Sequence, residues 1–141
     1  MNNNGSPRNA LRVLVVEDSA ELQLLLAAML HEIPSVHVVA NVSTEEAAID
    51  ALSTTQADLA IVDLELASGT GFGVLKSMAE NEDDCMHLTV VVFSNYANPL
   101  IKHRCLCMGA KAFFDKSFQI DELLEFVQGE AFGKSKSHSL S

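Results

Sequence analysis

The sequence predicts an α/β fold, a doubly wound sandwich in which five parallel strands in the order 2-1-3-4-5 are covered by helices on both faces. Three observations lead there. Short apolar, β-branched runs alternate five times with apolar stripes at helical spacing, and strands joined by helical crossovers are parallel. The runs are apolar at consecutive rather than alternate positions, as in strands buried on both faces. At 141 residues the chain suits one domain with a single core, and alternating strands and helices of that length form layered sheets with helices on each side.

Residues 1–10, with an Asn run, Gly5 and Pro7, offer little to bury and are expected to form a disordered leader. Leu11-Arg12-Val13-Leu14-Val15-Val16 is the first strand and ends at Glu17-Asp18-Ser19. Asp18 or Ser19 caps the next helix, whose Leu22, Leu25, Leu26, Met29 and Leu30 share one stripe before Pro34 closes it. Val36-His37-Val38-Val39-Ala40 is the second strand, and Ser43-Thr44-Glu45-Glu46 reads as a reciprocal capping box. The helix it opens carries a face of small residues, Ala47, Ala48 and Ala51, beside Leu52.

Asp58-Leu59-Ala60-Ile61-Val62-Asp63-Leu64-Glu65 is the third strand, an unbroken apolar run that leaves the sheet at Asp63. Gly69, Gly71 and Gly73 then lead into a helix with Phe72, Leu75 and Met78. Their spacing and position depart from the dinucleotide fingerprint, so a flexible turn is expected there rather than a phosphate cradle. Residues 81–84 read as a solvated acidic loop. Leu88-Thr89-Val90-Val91-Val92-Phe93 is the fourth strand and exits at Ser94-Asn95-Tyr96. A helix from Asn98 buries Ile101, Cys105 and Met108, turns Cys107 away and stops at Gly109. Lys111-Ala112-Phe113-Phe114 is a short fifth strand leaving at Asp115-Lys116-Ser117, and Leu123, Leu124 and Val127 line the last helix. The folded domain is expected over residues 11–128, with residues 129–141, rich in Ser and Lys, as a flexible tail that leaves no room for an output domain.

Nineteen acidic against nine basic residues give a formal charge of −10, which opposes direct contact with nucleic acid or an anionic membrane. Proteins, metal cations and small molecules are the partners this charge favours. Cys85, Cys105 and Cys107 are an odd number of thiols, so no complete disulfide framework is expected and a reducing compartment fits. Cys105-x-Cys107 is half of a metal-site spacing, but no second Cys or His pair is read at ligand spacing, and ordinary thiols are expected. The first residues lack the apolar core of a secretory signal, and no apolar stretch approaches the ~18 residues of a membrane span. A soluble, cytoplasmic protein is the expectation.

In open parallel sheets the ligand crevice lies outside the carboxyl ends of the strands. In the order 2-1-3-4-5 the ends of strands one, three, four and five border one crevice, and they carry Glu17 and Asp18, Asp63, Ser94, and Lys116. Each has a plain reading: turn residue, helix cap or solvated charge. Together they have a chemical one. Carboxylates gathered in one place repel unless a cation sits among them, and Mg²⁺ prefers such oxygen ligands while keeping positions open for water and phosphoryl oxygens. Lys116 is a point charge for a transferring phosphoryl group, Ser94 a hydroxyl donor, and Asp63 the nucleophile that forms an acyl phosphate.

In these residues, together with Gly71, Gly109-Ala110 and Phe113-x-x-Lys116, the chain resembles the receiver domain of two-component response regulators, over about residues 12–128. The resemblance implies a flavodoxin-like or CheY-like (βα)5 sandwich in which Asp63 accepts phosphate from a histidine kinase or histidine phosphotransfer protein. It implies that Asp18 and Asp63 bind Mg²⁺ directly, with the Glu65 backbone carbonyl as a further ligand and Glu17 acting through water. Ser94 and Phe113 would be the switch pair, read by a downstream protein target on the surface of the fourth helix, fifth strand and fifth helix. Such a chain catalyses only its own phosphorylation and dephosphorylation, and a monomer or weak dimer is expected.

Departures from the family pattern are visible. Ser117 stands where a proline commonly follows the lysine, and a cis bond before a non-proline costs ~3 kcal/mol, so a trans bond is expected. Ala67 replaces a frequent proline and Asn95 a smaller residue, while Glu65 and Tyr96 hold the variable positions flanking the phosphoryl site. Tyr96 is expected to shield that site from water and lengthen the phosphorylated lifetime. The alternatives are a receiver-like interaction module that is not phosphorylated and an aspartyl-nucleophile phosphatase of the haloacid dehalogenase type. The latter wants its D-x-D pair after the first strand, whereas Asp63-x-Glu65 follows the third.

Overall fold

The structure, a computed structural model, describes residues 10–81, 85 and 87–140. Nine of the ten leader residues and the acidic stretch 82–84 lie outside the described residues. The elements run β1 (Leu11–Val16), α1 (Ala20–His31), β2 (Val36–Val42), α2 (Glu45–Thr54), β3 (Leu59–Val62), α3 (Gly71–Glu80), β4 (Thr89–Ser94), α4 (Pro99–Cys107), β5 (Ala112–Asp115) and α5 (Ile120–Leu140). The five strands form one sheet in the order β2-β1-β3-β4-β5, every pair parallel, as the sequence predicts.

Successive residues of a strand point to opposite faces, so each central strand feeds two cores at once. Val13, Val15, Leu59, Ile61, Val91 and Phe93 meet Leu26, Leu30, Leu123 and Val127 of α1 and α5. Leu14, Val16, Ala60, Val62, Val90 and Val92 meet Ala48, Ala51, Val74, Leu75 and Cys105 of α2, α3 and α4. That double burial is why the strand sequences are continuously apolar. Four helices begin with a side-chain cap: the oxygens of Ser19, Thr44, Thr70 and Asn98 accept the N–H of Leu22, Ala47, Gly73 and Ile101, each worth ~1 kcal/mol.

Several expectations need correction. Ala10, assigned to the leader, is buried ahead of β1. Leu25 of the α1 stripe is exposed, because the face that meets the sheet is only wide enough for Leu26 and Leu30 with Leu22 and Met29 at its margins. No reciprocal box opens α2: Thr44 is the cap, and the Glu45 carboxylate instead accepts the Thr70 N–H at 2.9 Å, at the start of α3. Residues 129–140 are not a tail but the continuation of α5, in which Ala131 joins the core and Lys134 pairs with Asp58 at 2.6 Å. The peptide bond after Lys116 is trans, as expected. Among the described residues no helix is long and apolar enough to cross a membrane.

Gly71 is a structural requirement rather than part of a flexible turn. Its N–H donates to the Leu64 carbonyl at 2.9 Å, and a Cβ there would run into the Asp63 carbonyl and the Leu64 Cα, both backbone. Gly71→Ala is therefore expected to destabilise the domain by about 1–3 kcal/mol, read as a lower urea midpoint with an unchanged slope; a wild-type midpoint would show that the β3–α3 turn has room to yield.

Candidate functional site: an acidic cleft at the carboxyl edge of the sheet

The parallel ladder carries on past the ends of the strands and fixes the site. Asp63 directly follows β3, with its N–H donated to the Val16 carbonyl at 2.9 Å, and Glu17 follows β1, with its N–H on the Val42 carbonyl at 2.9 Å. Both side chains are buried, Asp63 to 5% exposure and Glu17 to 2%. Ser94 ends β4, fully buried, and pairs in register with Asp115 at the end of β5. Lys116 comes next, its N–H held by the Ser94 carbonyl at 3.1 Å.

Lys116 gathers the site. Its Nζ lies 2.8 Å from Asp63 Oδ2 and 2.8 Å from Glu17 Oε1. Burial works against its charge, but the hydrogen bonds and charges of Asp63 and Glu17 outweigh that and raise its pKa above the usual lysine value. The remaining carboxylate oxygens take backbone donors: Glu17 Oε2 accepts the Ser19 N–H at 2.9 Å, and Asp63 Oδ1 accepts the Glu65 N–H at a longer 3.3 Å. Ser94 Oγ accepts the Tyr96 N–H at 3.1 Å.

The other predicted residues lie around this centre. Asp18 is exposed at the rim. The Tyr96 hydroxyl donates to Glu65 Oε2 at 2.9 Å, linking the β3 and β4 exit loops. That hydrogen bond, then the Glu65 charge, partial burial and the Asp63 charge, raises the tyrosine pKa. Phe113 is half-buried on the α4 side of the sheet, with Lys102 Nζ 6.0 Å from its ring centroid. Its register partner is Val92, two positions before Ser94, so Phe113 and Ser94 share one face of the sheet.

Three further residues hold the loops of the site in roles the sequence does not signal. Gln23 Nε2 donates to the carbonyls of Glu17, at 2.6 Å, and Val42, at 3.2 Å, and so holds the β1 exit. Gln119 Oε1 accepts the Asp115 N–H at 2.8 Å just before Lys116. Glu45 secures the loop beyond Asp63 through Thr70. Gln23 falls on the face of α1 and Gln119 in the loop just before α5, places where any polar residue would be tolerated.

Of the expected metal ligands, Glu17 and Asp63 are brought together through Lys116, whereas Asp18 lies outside that cluster. Among the described residues no three His, Cys, Asp or Glu side chains form a ready cage for a metal ion. The donor set is nevertheless hard oxygen with an excess of negative charge, which fits Mg²⁺, an ion bound through one or two carboxylates and several waters.

The chain belongs to the response regulator receiver domain family, whose model matches residues 13–128. It is thus a receiver domain of the two-component signalling class. It is 31% identical over 102 residues to protein-glutamate methylesterase/protein-glutamine glutaminase 1 of Rhodospirillum rubrum, covering 71% of this chain and 26% of that protein. It is 30% identical over 117 residues to the sensory/regulatory protein RpfC of Xanthomonas campestris, covering 82% of this chain and 16% of that one. The chain therefore spans about a quarter or less of the length of these relatives.

Two solved structures share the fold. The receiver domain of a putative NarL from Mycobacterium tuberculosis has a TM-score of 0.78 at 24% identity, covering 88% of this chain and 98% of that one. The receiver domain of sensor histidine kinase PA1611 from Pseudomonas aeruginosa, which has a magnesium ion coordinated in its active site cleft, has a TM-score of 0.73 at 20% identity, covering 86% and 98%.

The ammonium shared by two buried acids has a measurable consequence. A lysine with a raised folded-state pKa contributes stability that is complete below its unfolded value, ~10.4, and is lost as pH rises through the folded value. Lys116→Met is expected to remove this alkaline component and, by leaving two buried carboxylates uncompensated, to cost about 3 kcal/mol at pH 8. Urea unfolding between pH 8 and about 12 checks it: the deficit should shrink as pH rises past ~10.4 and the wild type loses its lysine charge, and a deficit that does not change with pH would mean that the lysine only packs.

Proposed function

We propose that the protein is a phosphorylatable receiver in which Asp63 takes a phosphoryl group from a phosphohistidine of a histidine kinase or histidine phosphotransfer protein in the cytoplasm. The observation that carries this reading is the shared ammonium: a buried acid at the end of the central strand, held by Lys116 at 2.8 Å beside the buried Glu17 and Ser94. A structural ion pair would balance its charges. This cleft leaves one cation against Glu17 and Asp63, with Asp18 at the rim.

Lys116 engages Oδ2, so Oδ1, with only the longer bond from Glu65, is the oxygen that attacks phosphorus. As the new O–P bond forms, the donor's P–N bond breaks and its electron pair stays on the imidazole nitrogen. Lys116 offsets charge on the phosphoryl oxygens, and Ser94 donates its hydroxyl to one of them. Asp18, Asp63 and the Glu65 backbone carbonyl would hold Mg²⁺, with Glu17 reaching it through water. When bound, the ion neutralises the carboxylates and the incoming phosphoryl group. The magnesium in the PA1611 receiver supports this assignment.

Movement of Ser94 toward the phosphoryl group frees space on the face it shares with Phe113, and the ring turns into it. The two arrangements form a two-state equilibrium biased by local charge and read by a downstream protein on the α4-β5-α5 surface. The chain then acts as a signalling receiver, turning over only its own phosphoryl group.

Acetyl phosphate with Mg²⁺ followed by intact mass tests the core of this reading. One added phosphoryl group, absent in Asp63→Asn, is the expected result; an unmodified wild-type chain with acetyl phosphate and with phosphohistidine donors would favour an interaction module instead. Tyr96, 51% exposed and tied to Glu65 across the two exit loops, shields the acyl phosphate from water. Tyr96→Ala is expected to shorten the phosphorylated half-life several-fold in a time course of mass spectra, and an unchanged or longer half-life would sink the shielding role.

A further inference from the structure

The exposed face of α4 carries a feature that phosphotransfer does not use. At ~100° per residue, Leu100, His103, Leu106 and Cys107 fall within an arc of about 120°, opposite the buried Cys105. All four are exposed, Leu100 to 76%. Within that arc Cys107 Sγ lies 3.4 Å from His103 Nε2. A tetrahedral zinc ion with Zn–S near 2.3 Å and Zn–N near 2.05 Å sets those two ligand atoms about 3.5 Å apart. The pair therefore already stands at the bite of such an ion.

We infer that His103 and Cys107 form a bidentate half-site for a borderline-to-soft divalent cation such as Zn²⁺, completed by the same pair from a second copy of this chain. Two copies supply His₂Cys₂, a ligand set of closed structural zinc sites. A second copy is needed because, among the described residues, no third His, Cys, Asp or Glu side chain joins the pair. On binding, the Cys107 S–H bond loses its proton to solvent, the thiolate and the neutral imidazole each donate a lone pair, and no electron transfer is involved.

The helix face suits a self-contact. In a chain of charge −10, α4 contains no acidic residue. Its flanking cations are occupied at the sides: Arg104 stacks over Phe72 at 4.1 Å and Lys102 lies over Phe113 at 6.0 Å. Leu100 and Leu106 are left to meet their counterparts around the metal. The inference stands apart from phosphorylation, since Asp63 plays no part in it.

The test uses the whole chain, reduced, stripped with chelator and held in excess Mg²⁺ so that the oxygen-rich cleft is filled. Titration with Co²⁺ and with Zn²⁺ is followed by absorbance and by sedimentation. Expected are a sulfur-to-cobalt charge-transfer band, one Zn²⁺ per two chains and a shift from monomer to dimer, all lost in His103→Ala and in Cys107→Ser but kept in Asp63→Asn. Circular dichroism verifies that the two surface variants remain folded. A thiolate band that survives Cys107→Ser, a metal-bound monomer, or the absence of any thiolate band overturns the assignment.

Discussion

One ammonium shared between two buried carboxylates is the interaction on which the cleft depends. Two carboxylates left together in a poorly solvated place repel each other, and Lys116 offsets that repulsion by sitting 2.8 Å from both Glu17 and Asp63. The arrangement is stable without being neutral. Two acids and one base leave an excess negative charge, to which the exposed Asp18 adds, and that excess is what the proposed cation would neutralise. In the proposed phosphotransfer the incoming phosphoryl group would meet the lysine as well. The same charges thus hold the cleft together and set its electrostatic character.

Register delivers those groups to one place. Val16 pairs with Val62 and Ser94 with Asp115, so the residues that follow β1, β3 and β5 emerge side by side with the last residue of β4. A slip of one residue in any pair would turn the functional side chain to the opposite face and drive core side chains out of their layers. The apolar runs therefore specify the site as well as the fold. Valine and leucine upstream determine where an aspartate downstream must point, and Gly71 lets the chain return against Asp63 without displacing it.

The same coupling explains what was legible in the sequence. Glu17, Asp63, Ser94 and Lys116 could be found because each lies at the end of an unbroken apolar run, and the strand order that joins them follows from alternating strands and helices. What escaped notice depends on tertiary partners. Residues 129–134 read as tail because Gly129 and the Ser and Lys residues beyond it are poor in apolar groups, yet Lys134 meets Asp58 from 76 positions away and Ala131 fills a gap in the core. Gln23 looks like any polar residue on a helix, and Gln119 like any polar residue in a loop. Glu45 was assigned to its own helix cap, whereas the free N–H groups at the start of α3 recruited it. The His103 and Cys107 spacing lay between two weaker patterns, the Cys105-x-Cys107 pair and the buried stripe of α4, and became visible only once the helix showed which side faced out.

That outward side is also tied to the sheet. Cys105 and Ala110 bury α4 and its exit in the same apolar layer as Leu64 and Val92, so the helix backbone is firmly seated and a local event at the cleft reaches the surface mainly through side chains. Phe113 is placed to transmit it. Its ring shares a sheet face with Ser94, and Lys102 of α4 rests over it. If the ring turned inward, as the proposed switch requires, the lysine would lose an aromatic neighbour worth ~0.5–1 kcal/mol at an exposed site. An energy of that size redistributes a population without reshaping the fold. Under the proposed switch the signal would be a change in which charges the fourth helix presents, with the two cores beneath it unchanged.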